Sequence, residues 1–126
     1  MSNVKDGYLY SKKHEWIKIE SDEAVVGITD YAQAALGDIT YVDLPQTNIS
    51  VKEDDVVAGI ESVKTASDIY IPVAGEIVEV NSELNNHPEI INSDPYEAGW
   101  IFKVKMISKT ENLMNAEEYR DYLSKV

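Results

Sequence analysis

The stretch Glu61–Asn81, ESVKTASDIYIPVAGEIVEVN, holds two β-like runs joined by a short turn. Its runs are rich in Ile, Val and Tyr and are punctuated by Pro and Gly, a strand pattern rather than a helical one. A further run, Val56 to Val63, precedes them, so Lys64 falls at the tip of a hairpin in a unit spanning about residues 56–81. From Glu53 to Phe102, Lys64 is the only lysine or arginine, against eleven Asp and Glu. The rest of the chain has to explain why that lysine stands there.

Working outward, periodicity of two dominates. Glu15 to Glu20 alternates, Ser21-Asp22-Glu23 supplies a polar turn, and Ala24 to Ile28 follows as an apolar run. Asp38 to Leu44 is another β-rich run, stopped by Pro45, which cannot donate to a ladder. Ser67 to Val73 and Gly75 to Val80 continue the pattern. Trp100 to Ile107 closes it, with Trp100, Phe102, Val104 and Met106 on one face and Lys103 and Lys105 on the other.

Helical signals are short. Asp30 to Leu36 has an N-cap candidate in Thr29 or Asp30 and a stop in Gly37. Asn115-Ala-Glu-Glu118 has the form of a capping box opening a C-terminal helix over about 115–125, with Tyr119, Tyr122, Leu123 and Val126 along one face. Ser82 to Pro95, with its Asn, Pro and Asp punctuation, reads as a long loop holding at most one helical turn. The expected fold is mainly all-β, a small sandwich or flattened barrel with short peripheral helices, in one domain over residues 1–126.

Composition narrows the function. Formal charge is −12, which disfavours nucleic acid and anionic lipid surfaces and favours steering toward basic patches on other proteins. The chain has no Cys, which removes disulfides, thiolate metal sites and cysteine nucleophiles. No apolar run is long enough to span a membrane, and Met-Ser-Asn-Val-Lys-Asp lacks a signal-peptide stretch, so a soluble, cytoplasmic protein is expected. A mature mitochondrial form fits the same sequence.

The catalytic inventory is thin. His14 and His87 are far apart and lack metal-pair spacing, and each reads as an ordinary surface or loop histidine. No Gly-rich phosphate loop or nucleophile elbow occurs, and Asp54-Asp55 lacks the alternating oxygen ligands of a calcium loop. The expectation is no catalytic residue, no metal and no enzyme activity of its own. Lys64 remains. A lysine at a hairpin tip is most often a solubilising residue. Against that, its flanks are clean strands, and a turn on a rigid mount can be reached by a modifying enzyme and by a partner's active site. Glu61 and Asp68 nearby favour the charged ammonium, a poor nucleophile, so the residue suits an attachment point better than a catalytic amine. The residues alone do not name the arm.

Several blocks do. Lys13-His14-Glu15-Trp16, Gly27 to Gln33, Leu36-Gly37-Asp38 and Val42 to Pro45 resemble, in order, blocks of the H-protein family of the glycine cleavage system. Glu61-Ser62-Val63-Lys64 is the most specific piece, continued by Ser67 to Tyr70, Pro72, Gly75-Glu76, Val78 to Asn81, Asn92 to Tyr96 and Gly99-Trp100. The resemblance implies a lipoyl-domain-like sandwich (a barrel-sandwich hybrid) with lipoate as an amide on Lys64. It implies a carrier of the aminomethyl group of glycine, serving glycine decarboxylase (pyridoxal phosphate), aminomethyltransferase (tetrahydrofolate) and dihydrolipoamide dehydrogenase (FAD and NAD). A lipoate-attaching enzyme is a further implied partner, with Glu61, Ser62 and Val63 as recognition residues. The cofactor supplies the redox chemistry and the protein supplies position. Glu15, Ile28 and Asp68 match a groove for the loaded arm, and Ala35 departs from relatives that carry a histidine there.

Rival carriers fit less well. An acyltransferase lipoyl domain resembles a smaller sandwich with Asp-Lys-Ala at the tip and a Pro/Ala-rich tether, and a biotinyl carrier shows Met-Lys-Met. Here the tip is Val63-Lys64-Thr65 without a tether. An H-like protein that relays lipoate to other complexes, and a non-carrier module with an inert Lys64, stay open as alternatives. Lipoylation would take formal charge from 11 − 23 = −12 to 10 − 23 = −13. A Cys-free scaffold also could not exchange with a lipoyl dithiol, although short chains often lack Cys for no such reason.

Overall fold

The computed structural model describes residues 3–107 and 112–126. Met1 and Ser2, where the N-terminal segment discussed above begins, lie outside the described residues. The elements run β1 (Leu9–Tyr10), β2 (Glu15–Glu20), β3 (Glu23–Ile28), α1 (Asp30–Leu36), β4 (Ile39–Asp43), β5 (Ile49–Val51), β6 (Val56–Ser62), β7 (Ala66–Tyr70), β8 (Gly75–Val80), a 3-10 turn (Ser82–Asn85), α2 (Ile90–Ser93), β9 (Phe102–Met106) and α3 (Ala116–Leu123). Two antiparallel sheets result, one ordered β1-β2-β3-β9-β8-β5 and the other β4-β6-β7. They face each other without closing, so the sandwich expectation holds and the helices sit at the edges.

One apolar layer joins the sheets. Ile17, Val26, Ile77 and Val104 from the larger sheet and Val42, Ile60 and Ile69 from the smaller belong to a single buried cluster. The chain crosses between sheets at Ile71 to Ala74, where Ile71 and Val73 are fully buried and Pro72 interrupts the ladder. The run expected to reach Val73 therefore ends at Tyr70. A second cluster is aromatic: Tyr8, Tyr10, Trp16, Tyr96 and Tyr119 pack together, with Tyr10 stacked on Tyr119 at 4.5 Å. Trp16 covers Gly27 and donates from Nε1 to the Pro95 carbonyl at 2.9 Å. This cluster docks α3, whose Asn115–Glu118 capping box forms as the sequence indicates.

Several boundaries differ from expectation. Ser82 to Pro95 contains two helical turns rather than one at most, because Leu84 and Ile91 each insert fully into the core and draw a turn with them. β1 and β5 are additional strands, two and three residues long. Val63 leaves the strand for the turn, and β9 begins at Phe102 rather than Trp100. Val126 lies beyond α3 and is 61% exposed, so it takes no part in the helix's apolar face. Asp54 and Asp55 form a turn in which Asp55 Oδ2 accepts from the Lys52 backbone N–H at 2.9 Å.

Gly75 lies between β5 and β9, paired with Val51 and Met106. A Cβ there would run into the Lys105 carbonyl oxygen and lie 2.9 Å from Val104 Cγ2. Gly75→Ala should cost about 3 kcal/mol by forcing the central strands apart. Urea unfolding checks this: the midpoint falls with the slope unchanged, whereas an unshifted midpoint would mean that the strands yield freely.

Candidate functional site

The β6–β7 turn is Ser62-Val63-Lys64-Thr65, and its backbone groups are closely accounted for. Ser62 N–H donates to the Thr65 carbonyl at 2.8 Å, and Ser62 Oγ accepts from the N–H of both Lys64 and Thr65 at 3.2 Å. Val63 N–H reaches across to the Asp38 carbonyl at 3.0 Å, tying the tip to the segment between α1 and β4. A turn pinned on both sides presents its side chains on a fixed base. Lys64 is exposed, Val63 is 67% exposed, and Glu61 is exposed beside them. Among the described residues Lys64 makes no ion pair.

The lysine stem has a seat. Gly37 ends α1 with φ 81°, a conformation glycine adopts without penalty, and a Cβ there would sit 3.2 Å from Lys64 Cε. Asn92, from α2, holds this corner: its Nδ2 donates to the Gly37 carbonyl and to Gln33 Oε1, and its Oδ1 accepts from Ile39 N–H, each at 2.9 Å. Asn92 belongs to the Asn92–Tyr96 block quoted above, but nothing local in sequence shows that it braces the segment beneath the tip.

A cleft of about 180 Å³ runs beside α1 and brings together Glu15, Ile28 and Asp68. Glu15 and Ile28 are register partners on β2 and β3, while Asp68 comes from β7 of the other sheet. The cleft thus bridges the two sheets, and α1 forms one wall from Tyr31 to Leu36, a length of about 8 Å. Gly37, at the end of that wall, is where the Lys64 stem rests. Ala35 also lines the cleft, and its methyl leaves open the space a larger side chain would fill.

The three groove residues differ physically. Glu15 is 3% exposed, with Oε1 accepting from Ser11 Oγ at 2.7 Å and Oε2 from Tyr70 N–H at 3.2 Å. Burial pushes its carboxyl above the usual range, against the pull of those two hydrogen bonds and of the Lys13 charge. Ile28 is buried and gives an apolar floor, and Asp68 is exposed.

His14 is a cleft residue that sequence reasoning passed over. It sits in the β1–β2 loop with φ 69°, half-buried, and lines the cleft next to Glu15. Its Nδ1 lies 2.8 Å from Tyr119 OH, which in turn lies 2.8 Å from Thr29 Oγ1. Thr29 is the N-cap of α1, accepting from Ala32 N–H at 3.2 Å, which decides between Thr29 and Asp30. Its place beside Glu15 in the Lys13-His14-Glu15-Trp16 block is the signal the sequence offers. His87, by contrast, is exposed and pairs with Glu89.

Comparison with known proteins gives a consistent set of similarities. Residues 8–126 match the family model described as glycine cleavage H-protein. The glycine cleavage system H protein of Thermus thermophilus is 54% identical over 125 residues, covering 98% of this chain and 97% of that one. That of Halothermothrix orenii is 48% identical over 126 residues, covering 98% of each. The crystal structure of the Mycobacterium marinum glycine cleavage system H protein superposes with a TM-score of 0.91 at 36% identity, covering 96% of this chain and 99% of that one.

The raised Glu15 carboxyl sets a pH dependence of stability. A group whose folded value lies above its unfolded one stabilises fully below the unfolded value, near 4.5, and that stabilisation is lost as pH rises through the folded value. Glu15→Gln does not titrate, so from pH 4.5 to pH 7 the wild type should lose stability relative to the variant. Thermal unfolding of both proteins at the two pH values tests this. A gap moving the other way would mean that the hydrogen bonds from Ser11 and Tyr70 outweigh desolvation.

Proposed function

Because this chain belongs to the glycine cleavage H-protein family, we propose that it carries lipoate as an amide on Lys64 and ferries the aminomethyl group of glycine. One observation carries the assignment to this residue: Lys64 is exposed on a turn whose backbone is pinned from both sides, its stem against Gly37, the residue after the Leu36 that ends the cleft's α1 wall. The whole chain acts as one lipoyl-bearing unit and as a co-substrate rather than a catalyst. When bound, lipoate supplies the dithiol–disulfide couple and the sulfur on which the cargo rides.

The chain's own residues orient and shelter. Ser62 and Asp38 fix the direction in which the arm leaves the turn. Ile28 offers apolar contact in the cleft, and Glu15 and Asp68 complement a cationic amine electrostatically. The partners are glycine decarboxylase with pyridoxal phosphate, aminomethyltransferase with tetrahydrofolate, dihydrolipoamide dehydrogenase with FAD and NAD, and a lipoate-attaching enzyme. Glu61, Ser62 and Val63 form the surface that the attaching enzyme meets first. Among the described residues no helix is long and apolar enough to cross a membrane. Cytoplasmic residence is part of the proposal.

Intact-mass measurement after expression with lipoate and a competent ligase should show one lipoyl adduct, mapped to Lys64. An unmodified Lys64 under those conditions would sink the carrier reading. The lipoylated chain mixed with glycine decarboxylase should stimulate exchange of the glycine carboxyl carbon with bicarbonate; lipoylation without exchange would favour the relay role. Lys64→Arg should abolish both and leave thermal stability within about 0.5 kcal/mol, since the exposed tip has little to lose.

Charge supplies a further test. With a net charge of −12, docking by basic partner surfaces should weaken with salt, because such steering is screened over about 8 Å at physiological ionic strength. A salt series should raise the apparent KM of the decarboxylase for the lipoylated chain, whereas a flat series would count against electrostatic docking.

A further inference from the structure

We propose that His14 binds the cargo: its Nε2 accepts a hydrogen bond from the ammonium of an aminomethyl group parked in the cleft, and α3 aims the ring. This rests on the carrier reading above and adds a residue to it.

The cleft's hydrogen-bond acceptors differ in how far they are already used. Each oxygen of Glu15 already accepts one hydrogen bond, from Ser11 Oγ and from Tyr70 N–H, and keeps a single lone pair for anything else. Asp68 is exposed, so water screens its charge. His14 is different. Its Nδ1 is taken by Tyr119 OH at 2.8 Å, while Nε2 has no protein partner among the described residues. No buried side-chain nitrogen or oxygen among them lacks a partner, so Nε2 is open to solvent rather than sealed in the core. His14 lines the cleft, and Nε2 is the ring's one unoccupied hydrogen-bonding position among the described residues.

The ring is also held. Tyr31 of α1 lies against it with ring centroids 4.5 Å apart, and Tyr122 of α3 flanks it at 5.8 Å. Tyr119 OH bridges His14 to Thr29, which caps α1. One proton arrangement makes Nε2 an acceptor: Nδ1–H donates to the Tyr119 oxygen, and Tyr119 O–H donates to Thr29 Oγ1. In that arrangement Tyr119 of the C-terminal helix holds the direction of the ring, and Nε2 carries the free lone pair.

Other charged or titratable groups meet His14 from each side. Lys13 and Glu15 flank it in sequence, Tyr31 faces it from α1, Tyr119 and Tyr122 from α3, and Asp68 shares the cleft from β7. The Lys13 ammonium sits 3.6 Å over the Tyr70 ring and 3.8 Å from Asp54, engaged away from the imidazole. Burial lowers the His14 pKa from 6.5, which keeps the ring neutral at physiological pH. Acidification protonates it, removes the acceptor and sets two cations side by side.

The test compares lipoylated, cargo-loaded wild type with His14→Asn and His14→Gln. Asparagine tolerates the left-handed backbone at this position but is too short to reach the ammonium, whereas the glutamine amide reaches further and does not titrate. Thermal unfolding of the unloaded chains establishes that each variant folds. At pH 7.5, cargo should leave His14→Asn about tenfold faster than wild type, with His14→Gln restoring most of the difference. As pH falls through the His14 titration of the loaded chain, which lies below 6.5, release should accelerate in wild type and much less in either variant. In parallel, ¹⁵N NMR of the wild-type ring should show Nδ1 protonated in the loaded chain, with the His14 titration moved to lower pH by about one unit on loading.

Equal release rates and pH profiles in all three proteins, or a ring unchanged by loading, would overturn the inference. A lipoylated chain that loads normally but behaves so overturns this inference alone. An unmodified Lys64 overturns the carrier reading and the inference with it.

Discussion

The three-stranded sheet that carries Lys64 cannot stand by itself. A small sheet of short strands is marginal in water, and β4, β6 and β7 are five to seven residues long. What holds it is the apolar layer shared with the six-stranded sheet, into which Val42, Ile60 and Ile69 project. Because interiors are close-packed, that layer transmits rigidity to the exposed end of the hairpin. The turn adds little cohesion but has few loose groups: Ser62 and the Asp38 carbonyl satisfy its N–H donors. A hairpin tip on such a base differs from a loop that merely happens to contain a lysine.

The same layering creates the cleft. α1 closes over the place where β2, β3 and β7 meet, and its position is set at both ends: Thr29 caps one end through Ala32 N–H, and Asn92 grips the Gly37 carbonyl at the other. Glu15 lies at that junction, and its burial carries a desolvation cost that hydrogen bonds from Ser11 and Tyr70 only partly offset. A buried carboxylate that serves packing alone could be replaced by an apolar residue at little cost. Glu15 instead borders the cleft, with its carboxyl oriented there by Ser11 and Tyr70. The aromatic cluster under α3 extends this arrangement, since Tyr119 belongs both to that cluster and to the hydrogen-bonded chain reaching His14.

Much of this was legible in the sequence, and the reasons follow from range. Gly75–Val80 and Asp30–Leu36 are legible to the residue because period, caps and stops are local signals. The capping box at Asn115 was legible for the same reason. β1 and β5 were not, since two or three residues carry no period. The Ser82–Pro95 stretch looked irregular because Asn and Pro dominate it, yet Leu84 and Ile91 find core sites that only the assembled sheets provide. Family resemblance pointed to Glu15, Ile28 and Asp68, which do share one cleft. His14 escaped because its placement depends on a left-handed backbone and on a tyrosine 105 residues away. Long-range contacts of that kind leave no periodic trace.

The seat at Gly37 bears on why a lysine would suit the attachment proposed above. Its stem lies over the C-terminal end of α1, where the helix has no basic residue in its last turn and its carbonyls carry partial negative charge. In the unmodified chain, the ammonium at this end is electrostatically at home, on a surface otherwise dominated by Glu61, Asp68 and Asp38. Acylation keeps the stem and removes the charge, so the attraction to the helix end vanishes while the turn keeps its shape. A partner that reads the tip would then distinguish the two forms by charge and by the arm rather than by fold. The acidic surroundings contribute to that distinction, since they make the loss of a single positive charge a large local change.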